Sequence, residues 1–476
     1  MTAQAAVVLG VDLGTSAIKA VAVGDDGAVL AAARREYPTA RPEPGAAEQD
    51  PQQWFTALES ALDELAHSVP TASWAGMGLS AMLPTLVECD GRGRAVAPAI
   101  TWEDARAEPE AAALRAAVGD GNLYRVTGQR VDGRYLAPMH ARMARLGQAG
   151  TTVAGAKDVL FAHLTSELLT DPSTAAGFGV YDLDGNAWDA ELVAAARLPQ
   201  LPGLAPASTS RALASPWRER LGLPADFPVV LGAADSALGA LGVGATRHGD
   251  VAVIAGTSAI ILGISDAATR DDQSRYLVTP LAGPGWGLEM DLLAVGSAFE
   301  SIARLLGLPG PEALLESASE VRLGDAPTFL PYLAPGEQGA LWNPDLSGTL
   351  HGVHLGTTAG HVGRALLTGV VVELRRCIDI LTAATGSSGP ILLGGGAAGR
   401  MMWQDLADAT GREVWVDPHV SDHSAFGAAM FAASSLGRSI PHRGNAITVA
   451  PRGDMYGWWT DALASHDALR LTLGDR

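Results

Sequence analysis

Cysteine is nearly absent from this chain. Two residues, Cys89 and Cys377, are all that 476 positions contain. That excludes a disulfide framework and a cysteine metal site, and it makes a reducing cytoplasmic compartment the expectation. Aromatic residues make up only 5%, and basic residues are outnumbered 33 to 52, for a formal net charge of −19. Such a balance argues against non-specific binding to nucleic acid and to an anionic membrane surface. It leaves a small anionic ligand open, because local N–H groups and a cation can hold one. Long apolar runs are missing as well. The longest, Val251 to Ile264, is interrupted by Gly256-Thr-Ser and is too short to span a bilayer. No basic stretch leads an apolar one at the N-terminus, so no signal peptide is expected.

What is present fits a compact soluble protein: 47% hydrophobic and 18% charged residues. The length exceeds a typical single core and predicts two domains.

The chain is organised around Val7-Val-Leu-Gly-Val-Asp-Leu-Gly-Thr-Ser-Ala-Ile-Lys19. An apolar strand leads to Asp12; Gly14, Thr15 and Ser16 make a tight turn, and a second strand follows from Ile18 to Val23. A carboxylate at a strand end, next to a small-residue turn with free N–H groups and hydroxyls, can hold phosphate and its magnesium ion. An ordinary hairpin with Asp and Gly chosen for turn geometry reads as well. A second copy changes the balance: Val251-Ala-Val-Ile-Ala-Gly-Thr-Ser-Ala-Ile-Ile-Leu-Gly263 repeats Gly-Thr-Ser-Ala-Ile after an apolar run, near the midpoint. Two related halves, each with a phosphate-gripping hairpin, point to a nucleotide in the cleft between two lobes.

Other stretches take their place around these. Asp50-Pro51 opens a helix with Asp as N-cap and Pro in the first turn, and Trp54, Leu58, Leu62 and Leu65 form its core face. Gly76 to Val87 reads as a buried strand that ends at the bend of Met82-Leu83-Pro84. Trp102, Asp104 and Arg106 put a flat ring beside two hydrogen-bonding charges, suited to a sugar; a strand end with a salt bridge is the plainer alternative. Thr127 to Pro138 reads as a loop with Arg134 near its apex, and residues 200–226 as an irregular surface connection. Lys157-Asp158 precedes an apolar helix, and Thr170 to Gly177 is a small-residue segment. Pro228-Val-Val-Leu-Gly-Ala-Ala-Asp235 is a strand ending in a lone carboxylate among Gly, Ala and Ser, a candidate general base and equally a helix N-cap. Pro390-Ile-Leu-Leu-Gly-Gly-Gly-Ala397 runs a strand into three glycines, where a flat ring can approach the backbone. His351, His354 and His361 have no carboxylate in metal-ligand register. Neither a Gly-x-Ser-x-Gly elbow nor a Walker loop occurs.

Asp12-Leu-Gly-Thr-Ser, Trp102-Glu-Asp-Ala-Arg106, Gly232-Ala-Ala-Asp235, Gly256-Thr-Ser258, Phe329-Leu-Pro-Tyr-Leu and Leu393-Gly-Gly-Gly-Ala397 stand in an order in which the chain resembles the FGGY carbohydrate kinases, most of all their xylulokinase-type members. The resemblance runs from Val7 to about Ala432. It implies an α/β fold of two actin-like (ribonuclease H-like) domains, roughly 1–245 and 246–476, with ATP and Mg2+ in the cleft between them. It implies Asp12 acting on magnesium through water; Gly14, Thr15, Ser16, Lys19, Gly256, Thr257 and Ser258 at the phosphates; and Gly394, Gly395, Gly396 and Ala397 at the adenosine. Asp235 falls on the catalytic base that takes the proton of the attacking sugar hydroxyl. Met82, Leu83, Trp102, Asp104, Arg106 and Arg134 fall at the substrate. Relatives are often dimers, so a homodimer stays open.

The departures bear on substrate. Met82-Leu83-Pro84 stands where xylulokinases carry Gln-Met-His, Ala137-Pro138-Met139 replaces Ala-Pro-Lys, Gly336-Glu337-Gln338 replaces Gly-Glu-Arg, and Ala233-Ala234-Asp235 replaces Gly-Gly-Asp. They lead to two expectations beside a xylulose-type kinase. One is an aldonate substrate such as gluconate, paired with Arg134. The other is an idle binding protein on the same scaffold.

Overall fold

The computed structural model describes residues 6–334, 339–343, 345–396, 399–442 and 446–474. Two large sheets dominate it, and they repeat one topology. In the first, β1 (Val7–Leu13), β2 (Ala17–Gly24) and β3 (Val29–Glu36) form an antiparallel meander. Helix α1 (Pro51–Ser68) then returns the chain to β4 (Trp74–Ala81), parallel to β1. Asp50 caps α1 as its sequence predicts, accepting the Gln52 N–H at 2.9 Å, and Trp54, Leu58, Leu62 and Leu65 are fully buried. After helices α2 (Ala156–Thr165) and α3 (Pro172–Ala176) come edge strand β5 (Ser210–Ala212) and β6 (Pro228–Ala234), parallel to β4. The order across the sheet is β5-β6-β4-β1-β2-β3. Helix α4 (Asp235–Gly242) follows β6 directly.

The second sheet starts again with β7 (Val251–Ala255) and β8 (Ala259–Ser265), joined by the second Gly-Thr-Ser turn. At the sheet edge β9 (Leu277–Pro280) pairs antiparallel with β10 (Trp286–Leu292), which pairs antiparallel with β8. The 27-residue helix α5 (Ala359–Thr385) returns the chain to β11 (Ile391–Gly394), parallel to β7. Helix α6 (Arg400–Thr410), closed by Gly411 in left-handed conformation, leads to β12 (Val414–Val416), and helix α7 (His423–Ser435) follows. With β13 (Ile447–Val449) the order is β9-β10-β8-β7-β11-β12-β13. This is the two-lobed α/β arrangement that the resemblance implies.

The lobes are joined by exchanged helices. α7, from the second half of the chain, lies against the first sheet, where Phe426, Ala425 and Ala429 pack with Val8, Val21 and Val230. α4 lies against the second sheet, where Ala240 packs with Ala252 and Leu262. The two helices touch each other at glycines. A Cβ on Gly427 would sit 1.8 Å from the Leu238 carbonyl oxygen, and one on Gly242 would sit 1.9 Å from that of His423. The small-residue composition of both segments thus serves backbone-to-backbone contact.

Two local expectations are corrected. Residues 200–226 are more regular than their prolines suggest, since they hold β5 and a helix over Ser215–Leu221 that buries Trp217 and Leu221. The loop over Thr127 to Pro138 ends early, because a helix starts at Leu136. Among the described residues, no helix is long and apolar enough to cross a membrane.

Candidate active site

β1 delivers Asp12 to the lobe junction with its carboxylate buried. Ser80, on the neighbouring strand, donates its hydroxyl to Asp12 Oδ1 at 2.7 Å. Lys19 Nζ stands 3.6 Å from the other oxygen and 2.5 Å from Asp422 Oδ2, so two carboxylates share one ammonium. Burial, and then the Asp422 charge, raise Asp12 to about 6 despite Lys19. Burial works against the Lys19 charge, but Asp12 and Asp422 outweigh it and hold that ammonium above its usual range.

The turn after Asp12 is fixed on three sides. Gly14 N–H donates to Ala17 O at 3.1 Å, and the Tyr37 hydroxyl donates to Gly14 O. Thr15 O accepts Gln49 Nε2 at 2.7 Å, and Thr15 Oγ1 accepts Trp102 Nε1 at 2.9 Å. Ser16 is exposed at the tip. The second turn has the same design: Gly256 N–H donates to Ser258 O at 2.7 Å, Thr257 O accepts Val295 N–H at 3.0 Å, and Thr257 is exposed. The third turn, at the end of β11, needs its glycines. Gly395 has φ +96°, and a Cβ there would lie 2.1 Å from Ala255 O, while Gly396 faces open space. Ala397 and the Gly336-Glu337-Gln338 stretch lie outside the described residues.

Asp235 is the first residue of α4, with Ala234 rather than Asp235 in the capping position; its Oδ1 accepts the Ser236 N–H at 2.9 Å. It lines a cavity of about 110 Å3 together with Thr15, Trp102 and Arg134 from the first half and Ser258, Glu289 and Asp291 from the second. Burial pushes Asp235 well above the ordinary carboxylate range, and the charges of Asp12 and Glu289 push it further. Glu289 is itself raised by burial, against the pull of the Thr279 and Ser236 hydroxyls beside it. Carboxylates held so short of positive charge will accept hydroxyl protons readily.

Thr15, Leu83, Trp102, Arg134, Asp235 and Ser258 therefore meet at one cavity. Three expected sugar contacts do not reach it. Met82 is buried in the core under the first sheet. Asp104 accepts the Ala47 N–H at 2.9 Å and clamps Arg106, whose guanidinium also reaches Glu43 at 2.8 Å and Glu48 at 2.7 Å. That pair secures the 43–49 loop, the salt-bridge alternative that the sequence left open. Glu289 and Asp291 went unnoticed in the sequence. Their signal is alternation in Trp286–Leu292, which places a carboxylate at every second position between Leu288, Met290 and Leu292. A second cavity of about 460 Å3, around Tyr124, Arg130 and Trp342, shares only Gln129 with this one and contains none of the expected site residues. Among the described residues, no cluster of three or more His, Cys, Asp or Glu is arranged to hold a metal ion.

Known proteins match nearly the whole chain. The model of the N-terminal domain of the FGGY family of carbohydrate kinases matches residues 7–242, and that of the C-terminal domain matches residues 251–436. A xylulose kinase of Streptomyces coelicolor is 31% identical over 445 residues, covering 91% of this chain and 89% of its own. A gluconokinase of Bacillus subtilis is 28% identical over 454 residues, covering 90% and 88%. The crystal structure of a xylulose kinase from Rhodospirillum rubrum superposes with a TM-score of 0.85 at 30% identity, covering 98% of this chain and 99% of its own.

Proposed function

The chain belongs to the FGGY family of carbohydrate kinases and phosphorylates a small sugar at the expense of ATP; on that premise we propose its substrate class and the residues that act. Asp235 is the general base. It takes the proton from the sugar hydroxyl that attacks the γ-phosphate, and the observation that carries this is its buried carboxylate in the wall of the inter-lobe cavity. Phosphoryl transfer asks for little beyond this: an in-line nucleophile, a proton acceptor and charge neutralisation. The turns at Gly14–Ser16 and Gly256–Ser258 offer N–H groups and hydroxyls to the phosphates from opposite lobes, and Lys19 adds a cation. Gly394–Gly396 let the adenosine ring approach.

The Asp12 carboxylate suits a magnesium ion held mainly by the nucleotide. It is a hard oxygen donor, buried, and only partly compensated by Lys19 at 3.6 Å. When bound, that ion neutralises charge developing on the transferred phosphoryl group. Asp12 would hold it through water.

The substrate is a neutral ketose or polyol rather than an aldonate. Asp235, Glu289 and Asp291 line the cavity. Among the described residues, the guanidinium that lines it, that of Arg134, is engaged by Asp132, at 2.9 Å through Nε and 2.7 Å through a terminal nitrogen. Sugar hydroxyls can donate to carboxylates, whereas a carboxylate substrate would add a like charge. The test is ADP release by the purified protein across ketoses, polyols and aldonates, with Asp235→Asn alongside. Xylulose or a related neutral sugar should exceed gluconate at least ~10-fold in kcat/KM, and Asp235→Asn should reduce turnover to a small residual rate while ATP still binds. Preference for gluconate would overturn the substrate class. Unchanged turnover in Asp235→Asn would overturn the base. ATP binding without stimulation by any sugar would favour the idle scaffold.

A further inference from the structure

β6 does not run straight into Asp235. Its pairing with β4 slips between Val230 and Ala233, and Gly232 sits at the slip with φ +69°, where a Cβ would lie 1.7 Å from Leu79 O. A bulge of this kind re-aims the residues that follow it. Here those are Ala233, Ala234 and then the base.

Both sides of the bulge are held by one buried cluster. Lys157, on α2, donates its ammonium to Leu231 O at 3.3 Å, just before the slip. The same ammonium lies 3.0 Å from Asp171 Oδ1, and the two side chains are 1% and 0% exposed. Asp171 caps α3, accepting the Ser173 N–H at 2.9 Å and the Thr174 hydroxyl at 2.7 Å. It also accepts the Ser173 hydroxyl. Ser173 Oγ in turn accepts the Ala234 N–H at 2.9 Å, just after the slip and one residue before Asp235. Lys157 therefore holds Leu231 and Ser173 holds Ala234, and Asp171 ties the two together.

We propose that Lys157, Asp171 and Ser173 form a strut that fixes the bulge of β6 and so positions the base Asp235. The inference rests on the assignment of Asp235 as base. A fully buried ion pair is a poor way to gain stability alone, since desolvation consumes much of its attraction. It is a good way to fix a backbone, because every member here has its partners. Asp158, next in sequence, faces the same ammonium but accepts the Gly155 N–H at 2.8 Å and belongs to the start of α2. None of the three strut residues lines the sugar cavity, so they act through Asp235.

The experiment is a double-mutant cycle on the full chain, with kcat and KM measured for sugar and for ATP. Ser173→Ala removes the acceptor for Ala234 N–H. It should lower kcat ~10–100-fold, as small misplacements of a reacting group do, while KM for ATP stays within about twofold. In an Asp235→Asn background the same substitution should leave residual turnover unchanged, a non-additivity that general loosening of the fold does not produce. Lys157→Met should behave like Ser173→Ala wherever it folds, and Ser173→Ala carries the test where it does not. A folded Ser173→Ala with kcat within twofold of the parent, or an undiminished effect on top of Asp235→Asn, overturns the strut. Full activity in Asp235→Asn alone overturns the base assignment itself, and the strut's role with it.

Discussion

Gly427→Ala sets two known effects against each other at the point where the lobes meet. Gly427 lies inside α7, a 13-residue helix, and exchanging a helical glycine for alanine ordinarily gains ~1 kcal/mol. The new methyl, however, would lie 1.8 Å from Leu238 O and 3.0 Å from Gly242 N, both backbone atoms of α4, where ordinary contact begins near 3.4 Å. No rotamer relieves this, because the clash is with main chain. α4 and α7 must part by roughly 1.5 Å, and a gap of that size forfeits at least half of the dispersion energy of the contacts it opens. Overpacking of a tight core costs ~1–3 kcal/mol, and a main-chain clash along a whole helix pair belongs at the upper end; set against the helical gain it leaves a net loss of ~2 kcal/mol. For a lobe of this size that is a fall in Tm of about 4–8 °C.

Activity should fall with it, since α4 begins at Asp235 and moves with its neighbour. The assay is a thermal melt beside ADP release. Gly457→Ala, in the last helix and facing open space, serves as the control and should be neutral or slightly stabilising. An unchanged or raised Tm in Gly427→Ala would refute the reasoning, for it would mean that the helices are not in backbone contact.

Other consequences are accessible to the same assays. Trp102→Phe keeps a ring in the cavity but removes the donor to Thr15 Oγ1; a hydrogen bond of ~1 kcal/mol makes a roughly fivefold loss in kcat/KM the expected result. Glu289→Gln removes a charge beside Asp235 and should narrow the preference for neutral sugars over gluconate by ~5–10-fold, read as the ratio of kcat/KM values. Asp158→Asn should stabilise the protein at alkaline pH. Burial raises Asp158 from 3.8 to about 7, so the folded state binds its proton more tightly than the unfolded chain does. The stability tied to that proton is present below pH 3.8 and lost as pH rises through about 7, where the charge costs up to ~4 kcal/mol. Asparagine keeps the acceptor for Gly155 N–H without the charge. Urea titrations at pH 8 and pH 4 should therefore show a stabilised variant at the first and none at the second.

The fold was readable where local chemistry and tertiary role coincide. Asp50 and Pro51 start α1 for reasons inside their own turn, and the Gly-Thr-Ser copies sit at equivalent hairpins of two sheets with one topology. Legibility failed where a residue's role depends on what lies across the molecule. Trp102, Asp104 and Arg106 look like one cluster in sequence, yet the ring turns to Thr15 and the cavity while the two charges turn to residues 43–48. Glu289 and Asp291 look like ordinary alternation on a strand; only the fold brings them to the cavity that Asp235 lines. Lys157 and Asp171 are 14 positions apart in segments that read as a helix start and a small-residue stretch. Their meaning lies in a third segment, β6, whose bulge requires a glycine that the sequence does show. Had Gly232 been read as a bend rather than as part of a straight strand, the need for something to hold that bend would have followed. A buried lysine beside a buried aspartate is the kind of residue pair that answers it.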